Sequence, residues 1–105
     1  MLSDDLQLAR TVAETVLATR GVHALGTGRY AEAATYGAND KVMGVVVNPE
    51  EVSVHIVAAY PEGVPIPQLI TRIKERIAPL IGERKITVVV EDLFVTTEES
   101  SDVNL

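Results

Sequence analysis

Between residues 4 and 20 apolar side chains recur every three or four positions. Leu6, Ala9, Ala13, Val16 and Leu17 share one face with Val12 at its margin, and Arg10, Thr11, Glu14 and Thr15 share the other. That period predicts an amphipathic helix packed on a core. Ser3 is its expected N-cap, Asp4 and Asp5 suit the positive end of the helix dipole, and Gly21 supplies a left-handed stop. A second helical repeat runs from Pro67 to Ile81, with Leu69, Ile70, Ile73, Ile77, Leu80 and Ile81 as its buried stripe and Gly82 just beyond. Pro67 fits the first helical position, where its missing N–H costs nothing. Pro79 removes the bond to the Glu75 carbonyl, so a kink or a tightened last turn is expected.

The period changes to two elsewhere. Residues 41–47, KVMGVVV, read as one β-branched strand, and Asn48-Pro49-Glu50-Glu51 as a turn with proline at its preferred second position. Residues 52–60, VSVHIVAAY, follow as the hairpin partner. Alternation puts Val52, Val54, Ile56 and Ala58 on one face, and Ser53, His55, Val57 and Ala59 on the other. Pro61 and Gly63 end that strand. Residues 85–95, KITVVVEDLFV, form the last strand, and 29–37, RYAEAATYG, read as a weaker one after a glycine-rich link. The segment from 96 to 105 is polar and acidic, the composition of a disordered tail. Residues 1–95 therefore form the one folded domain.

A strand, a helix and a further strand make a crossover connection, which favours strands 52–60 and 85–93 lying parallel, joined right-handedly. The predicted fold class is α+β: a small two-layer sandwich in α-β-β-β-α-β order, with a mixed sheet and both helices on one face. The opposite sheet face, carrying Val57 and Ala59, is left uncovered. An exposed apolar sheet surface or an unpaired edge calls for a partner, so a homo-oligomer is expected.

Composition narrows the functions open to such a fold. The chain has 105 residues and a formal net charge of −6, which gives no overall attraction to nucleic acid or to an anionic membrane surface. Five of the nine basic residues, Arg72, Lys74, Arg76, Arg84 and Lys85, lie close together, but Glu75 and Glu83 intervene. They read as a solvated helix face and a charged loop. No segment has the roughly 20 apolar residues of a membrane span, and the acidic start resembles neither a secretory signal nor a transit peptide. A cytoplasmic domain with no direct membrane binding is expected.

Candidate chemistry is sparse. Gly21 and Gly26 have phosphate-loop spacing, but Thr27 and Gly28 stand where that motif needs Lys and Ser or Thr, and the segment follows a helix instead of a strand. There is no Cys, and His23 and His55 have no second His at ligand spacing, so no metal is expected. Glu91 and Asp92 are adjacent, and strand alternation points them to opposite faces, away from a converging acid–base pair. Asp92 is expected to fix a strand end by a hydrogen bond. A KH-type RNA module would need a G-x-x-G loop between helices, which is absent. No catalytic, cofactor-binding or metal residue is assigned, and a non-enzymatic role is expected.

With these elements in order, the chain resembles the alkaline shock protein family, also called the envelope stress response family. The resemblance rests on RGVHALG after the first helix, VSVHIVAAY, GVPIPQLITRIKERI and the closing ITVVVEDL, and spans roughly residues 5–95. Tyr60, Gly63, Val64, Ile66, Pro67, Glu91, Asp92 and Leu93 match the family pattern of a tyrosine strand end, a Gly-Val-x-Ile-Pro helix entry and a Glu-Asp-Leu strand end. Pro61 and Glu62 form an insertion, and residues 29–41 depart from the pattern. The resemblance implies a non-enzymatic, self-assembling stress-response protein, held at the cytoplasmic membrane face by a membrane-anchored protein partner. A small regulatory or ligand-binding module is the alternative, with an RNA-binding KH-like domain ranked behind it.

Overall fold

The two helical repeats and the period-two segments form α1 (Leu2–Leu17), β1 (Val22–Leu25), β2 (Ala34–Tyr36), β3 (Lys41–Met43), β4 (Val45–Val47), β5 (Glu51–Tyr60), α2 (Ile66–Ile81) and β6 (Lys85–Val95). This computed structural model describes residues 2–28, 32–60 and 64–95. The architecture is the expected α+β sandwich. β5 is the central strand of a four-stranded sheet. It pairs in parallel with β6 along one side, and antiparallel with β4 and β1 in succession along the other.

The core follows from alternation. Val52, Val54, Ile56 and Ala58 are all fully buried, and they meet Ala9, Val12, Ala13 and Val16 of α1 and Leu69, Ile73, Ile77 and Ile81 of α2. Ile86, Val88 and Val90 of β6 pack against the same cluster. Both helices therefore cover one sheet face. The stripe of α1 is centred differently from its expected position: Val12 is fully buried, whereas Leu17, the last helical residue, is about half exposed. Leu80, near the end of α2, is likewise exposed. The helix begins at Leu2, so Ser3 lies within its first turn and is not the N-cap. α2 begins at Ile66 and continues through Pro79 to Ile81.

The sequence predicts three strands between the helices, and there are five. Val22–Leu25 pairs with β5, although its short apolar run reads as part of a glycine-rich link. The segment 41–47 is two strands in two sheets, because Gly44 breaks it at φ +86°. β3 pairs with β2 in a separate two-stranded sheet, and β4 pairs with β5. A Cβ at Gly44 would lie 2.8 Å from Leu25 Cβ and 2.9 Å from the Gly26 carbonyl oxygen, so the changeover is open to glycine alone. Buried Thr35 ties the two sheets together: its hydroxyl donates to the Val45 carbonyl at 2.7 Å and accepts from the Val47 N–H at 3.0 Å. In the 48–51 turn, Asn48 Oδ1 accepts from the N–H groups of Glu50 and Glu51 at 3.1 and 2.8 Å. Of the remaining expectations, the start of the 29–37 strand, the Pro61–Gly63 strand stop and the tail from 96 lie outside the described residues.

Candidate functional site

The face of the sheet away from the helices carries the polar features of the molecule. β5 presents His55 there, with its side chain 19% exposed, and β6 presents Glu91, 11% exposed. The two strands run in step to Ile56↔Val90, after which Val57 pairs with Asp92. Glu91 is the extra residue of a β-bulge, a distortion that is rare in parallel pairs. The bulge resets the alternation of β6. Glu91 and Asp92, expected on opposite faces, instead line the same open cleft of about 380 Å³ together with Val57 and the segment Leu25–Gly28.

Glu91 acts as a clasp. Its Oε2 lies 2.6 Å from His55 Nδ1 and accepts from the Gly28 N–H at 2.9 Å. An ionised carboxylate only accepts, so His55 donates through Nδ1. The segment after β1 is thereby tied across β5 to β6. It reaches β5 directly as well, since the Gly26 N–H donates to the His55 carbonyl at 2.7 Å. Gly26 is buried directly against Glu91, and any Cβ there would overlap the carboxylate. Gly26 thus packs closely on the carboxylate, and Gly28 donates its N–H to it.

Asp92 is exposed and accepts from the N–H of Leu93 at 2.8 Å, inside the strand and not at its end. The reset alternation also places Phe94 on the cleft side of the sheet, where its ring stacks on His23 of β1 at a centroid distance of 3.7 Å. His23, expected in a link, is therefore a strand residue. The two histidines lie in different settings, one exposed on an aromatic ring and one half-buried on a carboxylate. Among the described residues no group of three or more His, Asp or Glu gathers as metal ligands would.

The basic stretch is not a single surface. Lys74 and Arg76 are exposed on α2, Arg72 is half-buried there, and Arg84 and Lys85 belong to the turn and the start of β6. β6 has β5 on one side only and, among the described residues, no strand on the other. Along it Val89, Leu93, Phe94 and Val95 are exposed, the last three by 44–50%. No helix is long and apolar enough to cross a membrane among the described residues.

The bulge and its clasp are what residue-by-residue reading missed. Alternation does place His55 and, without a bulge, Glu91 on the face opposite Ile56, and the parallel pairing of their strands brings them close. The signal that Asp92 joins them is absent from any periodic pattern. Comparison with family models, with characterised proteins and with solved structures finds no match to this chain.

Proposed function

We propose that the protein is a non-enzymatic, self-associating scaffold of the alkaline shock type. In this reading it acts in envelope stress near the cytoplasmic membrane face, where a membrane-anchored protein partner holds it. The observation that carries the reading is the open edge of β6, with Val89, Leu93, Phe94 and Val95 exposed along it. An edge of this length and apolarity is a template for a further strand. Gly26 of the RGVHALG motif and Glu91 of the closing motif, far apart in sequence, are in direct contact, and a Cβ at Gly26 would displace the carboxylate.

Light scattering across a range of protein concentrations tests the assembly. A mass that rises above that of one chain is expected, and a strict monomer at high concentration refutes it. Affinity capture from native membranes should retain a membrane-anchored protein, while sedimentation with phosphatidylserine vesicles at physiological salt should leave the isolated protein in solution. The net charge of −6 opposes approach to such a surface, and the basic residues of α2 and β6 do not form one face against it.

The cleft beside Glu91 and Asp92 favours a second reading, a small ligand-binding or regulatory module. A thermal-shift screen with nucleotides, metal ions and RNA separates the two, because a ligand that binds only the native state raises its stability.

A further inference from the structure

Beyond its exposure, the open edge of β6 carries a distinct charge pattern. The N–H of Lys85 donates to the Glu50 carbonyl at 2.9 Å, so the main chain of Lys85 faces β5. Alternation then turns the N–H and C=O groups of Ile86, Val88 and Val90 toward the open edge, while their side chains pack on the core. Lys85, Thr87 and Val89 have the reverse arrangement, with side chains on the cleft side of the sheet. The bulge brings Glu91 and Asp92 to that same side. β6 thus has a cation at its start, an apolar centre and a pair of carboxylates beyond it.

We propose that β6 pairs antiparallel with β6 of a second copy of this chain, about a two-fold axis at Val88. This rests on the self-association proposed above and specifies its surface. In this register Val88 faces Val88, Ile86 faces Val90, and both pairs exchange main-chain hydrogen bonds. Thr87 faces Val89 on the cleft side. Lys85 of each copy stands opposite the Glu91–Asp92 pair of the other, and the bulge places whichever carboxylate is nearer on the correct face. Residues opposite in such a non-hydrogen-bonded position have Cα atoms about 4.5 Å apart, close enough for an ammonium to reach a carboxylate. Lys85 and Asp92 are both exposed, and neither is in an ion pair among the described residues.

Other registers are worse. With the bulged pair again counted as one position, an axis at Val90 sets Val89 against the two acids and leaves Lys85 beyond Val95. An axis at Val89 sets Thr87 against the two acids and Lys85 against Phe94. The charges that blunt the edge against indiscriminate pairing are complementary in one arrangement only, which gives specificity as well as attraction. The result is one continuous sheet through both copies, with all four helices on the same side.

A charge exchange tests the register. Lys85→Glu places like charges opposite each other twice in the homodimer, and so does Asp92→Lys. Each variant alone should dissociate about tenfold more readily than the wild type. Mixed in equal amounts, the two variants form a heterodimer in which the introduced glutamate faces the introduced lysine, and the native Lys85 of one copy faces the native Asp92 of the other. Association should then recover. Native mass spectrometry distinguishes the heterodimer by mass, and circular dichroism verifies that each variant is folded. Association by the wild type that neither variant weakens, or that mixing does not restore, overturns this register and leaves self-association through another surface standing. A wild type that remains monomeric overturns both.

Discussion

Removing the Glu91 carboxylate tests whether the bulge clasp holds the structure around the cleft. In Glu91→Ala the Gly28 N–H loses its acceptor at 2.9 Å and His55 loses its partner at 2.6 Å. Each is a charge-assisted bond of the kind that contributes about 1.5–3 kcal/mol. The side chains of His55 and Glu91 are 19% and 11% exposed, so water replaces part of what is lost. Discounting for that gives a net cost of about 2–4 kcal/mol. The neighbouring carboxylate is the control. Asp92 is exposed and bonds only the next residue's amide, so Asp92→Ala should cost under about 0.5 kcal/mol. Urea unfolding should show a lower midpoint for Glu91→Ala with an unchanged slope. Amide exchange should show the Gly28 N–H losing its protection while the amides of β5 keep theirs. Equal and mild effects of the two substitutions, with Gly28 still protected, would refute the clasp.

Three further predictions concern the frame around it. Ile73 is fully buried in the centre of α2, and Ile73→Ala should cost about 2–5 kcal/mol in denaturant unfolding through lost burial and a cavity. Arg72→Ala, beside it on the helix, should be much milder, although Arg72 is half-buried and not fully exposed as the helical period suggests. Gly44→Ala should lower the thermal midpoint sharply and disturb the amide resonances of both Leu25 and Val45, since it combines a positive φ with overlap on Leu25 and the Gly26 carbonyl. Asp40 accepts from Arg10 at 2.8 Å, and that bond, the Lys41 N–H and the guanidinium charge hold its carboxyl below its ordinary value of 3.8. The stabilisation is therefore present above that value and lost as pH falls through the lowered one. In Arg10→Ala, NMR titration of Asp40 should move toward the ordinary carboxylate range.

The parts of this fold that were legible in the sequence are those governed by periodicity. The four buried residues of β5, the stripe of α2 and the parallel crossover from β5 to β6 all follow from periods of two and 3.6 acting on a core of Val, Ile, Leu and Ala. What the pattern hides depends on single residues that interrupt it. Gly44 lies in the middle of a β-branched run, and only its positive φ and its contact with Leu25 reveal that the run changes sheets. Val22–Leu25 is too short for its alternation to stand out from the glycines around it, yet it completes one side of β5. The bulge at Glu91 leaves no compositional trace. It lies where a carboxylate binds His55 and Gly28, and those partners are remote in sequence. The cleft depends on that one extra residue.

In the proposed assembly β6 is the edge through which the protein meets a second copy. Residue-resolved amide exchange, measured at low and at high protein concentration, examines that edge directly. The amides of Ile86, Val88 and Val90 face outward in one copy and become hydrogen-bonded in the pair. They should exchange freely in dilute solution and become protected as concentration rises, together with the rise in mass. Exchange at these three amides that stays fast and independent of concentration, while light scattering reports association, would show that the copies meet elsewhere.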